Sequence, residues 1–199
     1  MDFHERQFCL VAGPMQRRSR SHVDFPASSP HVLAVGGTRV TAAANNTIET
    51  ETVWNDGAQG GATGGGYSTY ETRPAFQTGI SSVVGTKRGV PDVAAVGNPR
   101  TGVWVYNSYE NTAGGALYAW NIIGGTSVAS PLWAGIVNHA GHFSASVLIE
   151  ETLIYASAKT AADFRDVTIG SCGFYEGWSA AAGWDPCSGN GTPLGTAGK

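Results

Sequence analysis

One serine of this sequence stands where covalent chemistry is favoured, directly after two glycines and at the start of a predicted helix. It is Ser127, in the segment GGTSVASP at 124–131, and apolar residues recur at close to helical spacing from there to residue 142. Free backbone N–H groups and the helix dipole stabilise negative charge at a helix N-terminus, and glycines let a substrate backbone come close. Ser127 is therefore a candidate nucleophile. The alternative interpretation is that Ser127 or Thr126 only caps the helix.

A nucleophilic serine needs a base, and the five histidines of the sequence are poorly placed to supply one. His139 lies twelve residues along the same predicted helix, about 18 Å from Ser127 at a rise of 1.5 Å per residue. His142 is further away still. The other three stand near the N-terminus or at the start of a strand, in no motif that favours a catalytic imidazole. We interpret all five as surface or packing residues.

Short predicted strands precede the serine helix. The continuous apolar run at 31–40 is typical of a strand buried on both faces of a parallel sheet. Further strands are predicted at 8–12, 52–54, 90–96 and 102–106, a glycine-rich loop at 57–66, and a second helix at 145–158. Beyond residue 161 the composition predicts a system of loops. This mixture of strands and helices predicts a doubly wound α/β domain.

Length and composition limit the classes of function. The 199 residues suffice for one sizeable domain or for part of a larger one, and 42% apolar with 14% charged residues indicates a folded chain. The net charge of -3 and the scattered Lys and Arg residues argue against a nucleic-acid partner. No apolar run reaches the roughly 18 residues of a membrane span, and the first residues do not match a signal peptide.

Six short blocks, in order and with matching spacing, resemble the sedolisin, or serine-carboxyl, peptidase family. They are FPASSPHV at 25–32, AVGGT at 34–38, VWN at 53–55, GGGYS at 64–68, RGVPDV at 88–93 and GGTS at 124–127. The resemblance runs from about residue 25 to residue 191 and gives Ser127 the role of nucleophile. It implies a subtilisin-like fold with a mainly parallel sheet and flanking helices, a peptide or protein substrate, a monomer and a secreted protein.

The other catalytic residues of the family have no counterpart in this sequence. The family's base is a glutamate oriented by an aspartate four residues later, which works in acid where a histidine is protonated, and no Glu here has an Asp four positions on. The oxyanion aspartate normally follows a strand that corresponds to 8–12, where this chain reads LVAGPMQ, and Asp24 is too close to the FPASSP block. We expect 1–24 to be irregular or mis-specified, 25–195 to be the C-terminal part of a peptidase domain without its N-terminal portion, and this chain alone to be inactive.

The resemblance also implies one structural Ca²⁺ within residues 163–191. Its ligands would be the side chains of two aspartates and three backbone carbonyls, those of Asp166, Asp185, Val167, Ala181 and Gly183. Carboxylate and carbonyl oxygens suit this hard cation, which takes about six oxygen ligands. Without the resemblance, the two aspartates would be interpreted as turn residues. Cys172 and Cys187 flank the segment and either pair or remain free thiols.

Two further sets of residues are interpreted as structural. Asp92 is expected to accept backbone N–H groups at a strand start, and the glycines at 64–66 to shape a loop near the substrate cleft. Three functions therefore stay open. The first is an acid-acting serine endopeptidase or tripeptidyl-peptidase relative, and the second a non-catalytic, calcium-stabilised peptide-binding remnant. The third, a Ser-His-Asp subtilisin relative, is disfavoured for two reasons. The residues LWA follow Pro131 as they do in sedolisins, and no His-Gly-Thr or Asp-Thr-Gly motif occurs.

Overall fold

A four-stranded mixed sheet with a long helix packed on it forms the centre of the fold. The computed structural model describes residues 10–11, 23–45, 47–107, 119–158, 162–173, 177–196 and 198. The strands are β1 Leu10–Val11, β2 Ala34–Ala42, β3 Ile48–Val53, β4 Gly66–Thr72, β5 Lys87–Val90, β6 Val93–Val96, β7 Val103–Asn107, β8 Ala119–Ile123, β9 Phe164–Arg165, β10 Ser171–Cys172, β11 Trp178–Ser179 and β12 Thr192–Pro193. The helices are α1 Gly57–Gly60, a 3₁₀ helix Ala75–Ile80, α2 Ser81–Val84, α3 Thr126–Ala140 and α4 Val147–Ser157.

Strand β2 is the middle of the sheet and pairs on both sides. Along one side it pairs in parallel with β1 and then antiparallel with β3, and along the other in parallel with β6. Its first half is fully buried, as expected of an apolar strand between two covered faces. The strand predicted at 31–40 is thus confirmed, with its bounds shifted to 34–42.

Helix α3 covers β2 and β6 and provides much of the main core. Trp133 is 1% exposed, donates its indole N–H to the Ala94 carbonyl at 2.9 Å and stacks on Phe164 with ring centroids 6.0 Å apart. The other members are apolar residues of the sheet and of both long helices, namely Leu33, Val35, Val93, Ala95, Ala129, Val137 and Ile154. This packing fixes the start of α3 relative to the sheet.

The strand predicted at 90–96 is in fact two strands, β5 and β6, separated by Pro91 and Asp92. Proline has no N–H to donate to a sheet, and the Asp92 side chain accepts the Ala34 N–H at 2.8 Å. The two predicted helices are confirmed at 126–140 and 147–157. Of the strand predicted at 8–12, residues 10–11 are a strand, while most of the region 1–24, expected to be irregular, lies outside the described residues.

Strands β7 and β8 form a separate two-stranded hairpin just before α3. Trp104 lies opposite Ile122 and Tyr106 opposite Trp120, so that these four side chains share one face, which we call the aromatic face. They are 63%, 41%, 51% and 63% exposed respectively, and the Tyr106 and Trp120 rings meet edge to face at 5.5 Å. Exposed apolar surface of this kind is uncommon on a monomer.

The last part of the chain is the predicted loop system, held by two pairs of two-residue antiparallel strands. Cys172 and Cys187 form a disulfide across 15 residues, which decides between the two interpretations that the sequence left open. Within the described residues, no helix is long and apolar enough to cross a membrane.

Candidate active site

Ser127 is the second residue of α3, and its side chain is exposed. The preceding Gly125 has φ +95°, a backbone conformation that L side chains rarely adopt, so glycine is required at this turn. The Gly125 N–H donates to the Gly97 carbonyl just beyond β6, and the Gly125 carbonyl accepts the Val128 N–H at 2.9 Å. The serine is therefore held at a fixed position beside the carboxyl end of β6.

Close approach of three backbones places this turn. A Cβ on Gly97 would lie 2.9 Å from the Cα of Gly37 in β2 and 3.5 Å from the carbonyl carbon of Gly125. Only glycine lets β2, the end of β6 and the serine turn come this near. Ligands of open α/β sheets bind outside the carboxyl ends of parallel strands, which is where Ser127 lies.

Pro131 adds a local effect on the serine. It lies inside α3, four residues after Ser127, and lacks the N–H that an uninterrupted helix would donate to the Ser127 carbonyl. The Ser127 carbonyl therefore lacks the N–H partner that an uninterrupted helix would supply four residues on.

Three of the histidines, His139, His142 and His31, lie within the described residues, and His139 is twelve residues from Ser127, about 18 Å along the same helix. His139 lies in the last turn of the same helix and is exposed, as are His142 and His31. Among the described residues, the Ser127 side chain has no hydrogen-bond partner. The expectation that no histidine serves as the base remains a prediction.

The two predicted calcium-binding aspartates converge on one loop. Asp166 accepts the Gly183 N–H at 2.8 Å, and Asp185 accepts the Ala181 N–H at 3.3 Å. Val167 joins them through the Ser188 hydroxyl, which donates to Asp185 at 2.9 Å and lies 3.4 Å from the Val167 carbonyl oxygen. The five predicted ligand residues are thus neighbours in space.

The two carboxylates differ in their surroundings. Asp185 is 1% exposed and also accepts the N–H groups of Cys187 and Ser188 at 2.7 and 3.0 Å. Burial raises the pKa of Asp185, and these backbone donors oppose the rise. Asp166, in contrast, is exposed. The described residues hold no group of three or more His, Cys, Asp or Glu side chains placed to bind a metal, and the predicted site uses only two. Its oxygen-only donor set fits Ca²⁺.

Several curated proteins are similar to the chain. It is 40% identical to kumamolisin of Bacillus sp. over 185 residues, which are 87% of this chain and 31% of that protein. It is 36% identical to sedolisin of Pseudomonas sp. over 170 residues, 82% of this chain and 27% of that protein. A solved structure of Pseudomonas sedolisin, a serine-carboxyl proteinase complexed with two molecules of pseudo-iodotyrostatin, matches with a TM-score of 0.69 and 35% identity over 86% of this chain and 46% of that one. No family model matches.

The chain belongs to the sedolisin family. The fold class implied by the six sequence blocks is confirmed, because the structure matches that of a sedolisin. The chain spans less than a third of the length of kumamolisin and of sedolisin.

A buried polar cluster of this sedolisin homologue was only partly foreseen from the sequence. Asp92 accepts the Ala34 N–H, as predicted, but it also accepts two hydrogen bonds from the Arg88 guanidinium and one from the Tyr155 hydroxyl. Gln77 extends the cluster by donating to the Tyr155 hydroxyl at 2.7 Å. The only signal in the sequence was a set of polar residues inside otherwise apolar segments.

Proposed function

We propose that this chain is the nucleophile-bearing part of a serine-carboxyl peptidase. The observation that carries the proposal is the exposed Ser127 at the start of α3, in a turn that requires Gly125, within a chain 36–40% identical to kumamolisin and sedolisin. In the proposed reaction the Ser127 oxygen attacks the peptide carbonyl and its proton passes to a carboxylate base. The C–N bond then breaks, the amine leaves with that proton, and water releases the acyl group.

The start of α3 would stabilise the charge that develops during this attack. The positive end of its dipole lies next to the serine, and such preorganised electrostatics supply a large share of transition-state stabilisation in acyl transfer. The proposed reaction runs in acid, because a carboxylate base keeps working where an imidazole would be protonated.

The 199 residues by themselves are proposed to be inactive, because no Glu among them has an Asp four positions later and no residue matches the oxyanion aspartate of the family. The test is hydrolysis of a peptide library at about pH 4, compared between the chain and Ser127→Ala. We expect no serine-dependent turnover from the chain alone, and turnover that Ser127→Ala abolishes once upstream coding sequence is restored. Serine-dependent turnover by the chain alone would show that a base lies within it. No turnover even in the longer protein would favour a non-catalytic peptide-binding remnant.

A structural Ca²⁺ at Asp166 and Asp185 is the second part of the proposal. It is supported by the convergence of both carboxylates on residues 181–183 and by the nearby Val167 carbonyl. Bound there, the cation would neutralise both acids and tie the loops of the C-terminal part together. The neighbouring disulfide and the resemblance both support a secreted protein in an extracellular environment that contains calcium.

Calcium binding is tested by thermal unfolding with and without Ca²⁺. A ligand that binds the folded state at 100 times its Kd stabilises it by about 2.7 kcal/mol, so we expect a clear rise of Tm. Asp166→Asn should remove most of this rise, and because Asp166 is exposed the variant should still fold. Glu49→Gln, at an exposed position of β3, serves as the matched control and should keep the full rise. A rise equal in all three proteins would contradict the proposed site.

A further inference from the structure

Glu151 is a fully buried acid for which the proposed peptidase chemistry has no use. It lies in α4 and is 0% exposed, and neither of its carboxylate oxygens has a hydrogen-bond partner in the described part of the chain. An ionised carboxylate without partners in a dry site is very costly, and such groups bind a proton instead. What surrounds Glu151 therefore decides its protonation.

The Asp92 cluster supplies charges that act on Glu151. Asp92 and Arg88 form an ion pair in which both side chains are 0% exposed, with two N–O distances of 2.5 and 2.6 Å. Asp92 also accepts the Tyr155 hydroxyl and the Ala34 N–H, both at 2.8 Å. The single charge of Arg88 is thus already balanced by Asp92.

A charge count shows the conflict. The groups that face Glu151 are Asp92 and Arg88 beside it, and Glu150 and Tyr155 of its own helix. Burial and then the Asp92 charge raise the pKa of Glu151 well above its usual range, and Glu150 adds to the rise, while Arg88 opposes it. Burial and Asp92 also raise the pKa of Tyr155, so this phenol stays neutral. With Asp92 and Glu151 both ionised, the two carboxylates share one cation and neither can donate a hydrogen bond.

We propose that Glu151 is a proton-binding site, and that its proton, shared with Asp92, locks α4 onto the β5–β6 segment in acid and is lost at higher pH. One proton removes the uncompensated charge and turns Glu151 into a hydrogen-bond donor to Asp92. Through Tyr155 and Gln77, the same cluster reaches the Gly89 backbone in β5. The proton therefore acts on the contact between α4, the 3₁₀ helix and the sheet.

The sign of the pH dependence follows from the direction of the shift. A carboxyl group whose pKa is higher in the folded than in the unfolded chain stabilises the fold below the unfolded value of about 4.3. That stabilisation is lost as the pH rises towards the pKa of the folded state. The fold should thus be held most tightly under acidic conditions.

The experiment compares unfolding of the 199-residue chain and of Glu151→Gln across pH, followed by tryptophan fluorescence. Gln is neutral at every pH, has nearly the shape of the protonated acid and can still donate to Asp92. We expect the ratio of the wild-type to the variant unfolding constant to rise with pH above about 4.5, by up to tenfold per pH unit. The variant should therefore be the more stable protein near neutral pH. Profiles that run parallel at all pH values would overturn the proposal.

Two further measurements separate the proton from a merely structural role. Tyr155→Phe removes a hydrogen bond to Asp92 but no titrating proton, so its loss of stability should not depend on pH between about 4 and 8. If Glu151→Gln does not fold, infrared spectra of ¹³C-glutamate-labelled wild type decide. A neutral glutamic acid band that persists in the folded protein above the unfolded value of about 4.3, and that disappears on unfolding at the same pH, supports the proposal, and its absence rules it out.

Discussion

The Asp92 carboxylate connects three parts of the chain. It accepts hydrogen bonds from Arg88 in β5, from the Ala34 backbone in β2 and from Tyr155 in α4. Burial alone would lower the pKa of Arg88, but the neighbouring Asp92 outweighs it and the net shift is upward. Because both side chains of the pair are buried, removing the Asp92 charge leaves the Arg88 cation where water cannot reach it.

Asp92→Asn is expected to destabilise the fold strongly. Removing one partner of a buried pair costs about 3–5 kcal/mol, because the other charge stays buried without compensation. Urea unfolding near neutral pH measures the change. Arg39→Gln is the matched control, because Arg39 pairs with Asp56 at 3.3 Å but is 42% exposed, and it should cost less than about 1 kcal/mol. Equal losses of unfolding free energy in the two variants would show that the buried pair stabilises the fold no more than the exposed pair does.

At the level of elements, the glycines 64–66 hold the segment before β4 against the C-terminal loops. A Cβ on Gly65 would collide with the Pro186 carbonyl oxygen and lie 3.0 Å from that of Val90. Their predicted place beside a substrate cleft remains a prediction. The contact of Gly65 with Pro186, next to Cys187 of the disulfide, gives Gly65 a packing role.

Gly65→Ala is expected to destabilise the fold by about 1–3 kcal/mol or more, because backbone atoms have to move to admit one methyl group. Gly135→Ala is the matched control in α3, where an added Cβ meets nothing within 4 Å. It should stabilise the chain by about 0.5–1 kcal/mol, the usual difference between these residues within a helix. Thermal unfolding of the two variants measures both effects, and a tolerated Gly65→Ala would contradict the close contact.

For the whole molecule, the aromatic face of the β7–β8 hairpin leaves apolar surface exposed. Surface of this kind favours association between chains. We therefore expect the isolated chain to be poorly soluble, and this is consistent with a chain that spans less than half of the sedolisin structure it matches.

Replacing Trp104 and Trp120 together by Lys should raise the concentration at which the chain stays monomeric, as measured by light scattering and sedimentation. Charges at the centre of the aromatic face oppose association of apolar surfaces. Tyr70→Lys is the control, because Tyr70 is 90% exposed but lies on β4, outside that face, and should change solubility little. A wild-type chain that stays monomeric at the same concentrations as the double Lys variant would contradict the expectation.

Much of the fold could be predicted from the sequence because its elements are locally encoded. The apolar run of β2 and the helical spacing of α3 and α4 located these elements within two or three residues. The sequence did not predict the break between β5 and β6. The apolar character of the segment does not show that the Asp92 side chain accepts the Ala34 N–H and thereby interrupts the strand. The six ordered blocks predicted the family, because their order and spacing along the chain match it.

The sequence by itself determined the serine at the helix start, the place of the main strands and helices, and the family. Only the tertiary structure decided what lies next to what. It paired Cys172 with Cys187, brought Asp166 and Asp185 to one loop, and enclosed Glu151 beside Asp92 and Arg88. Contacts of this kind join residues far apart in the chain, and local patterns carry no record of them. Both the burial of a charge and its partners are fixed only when the elements pack.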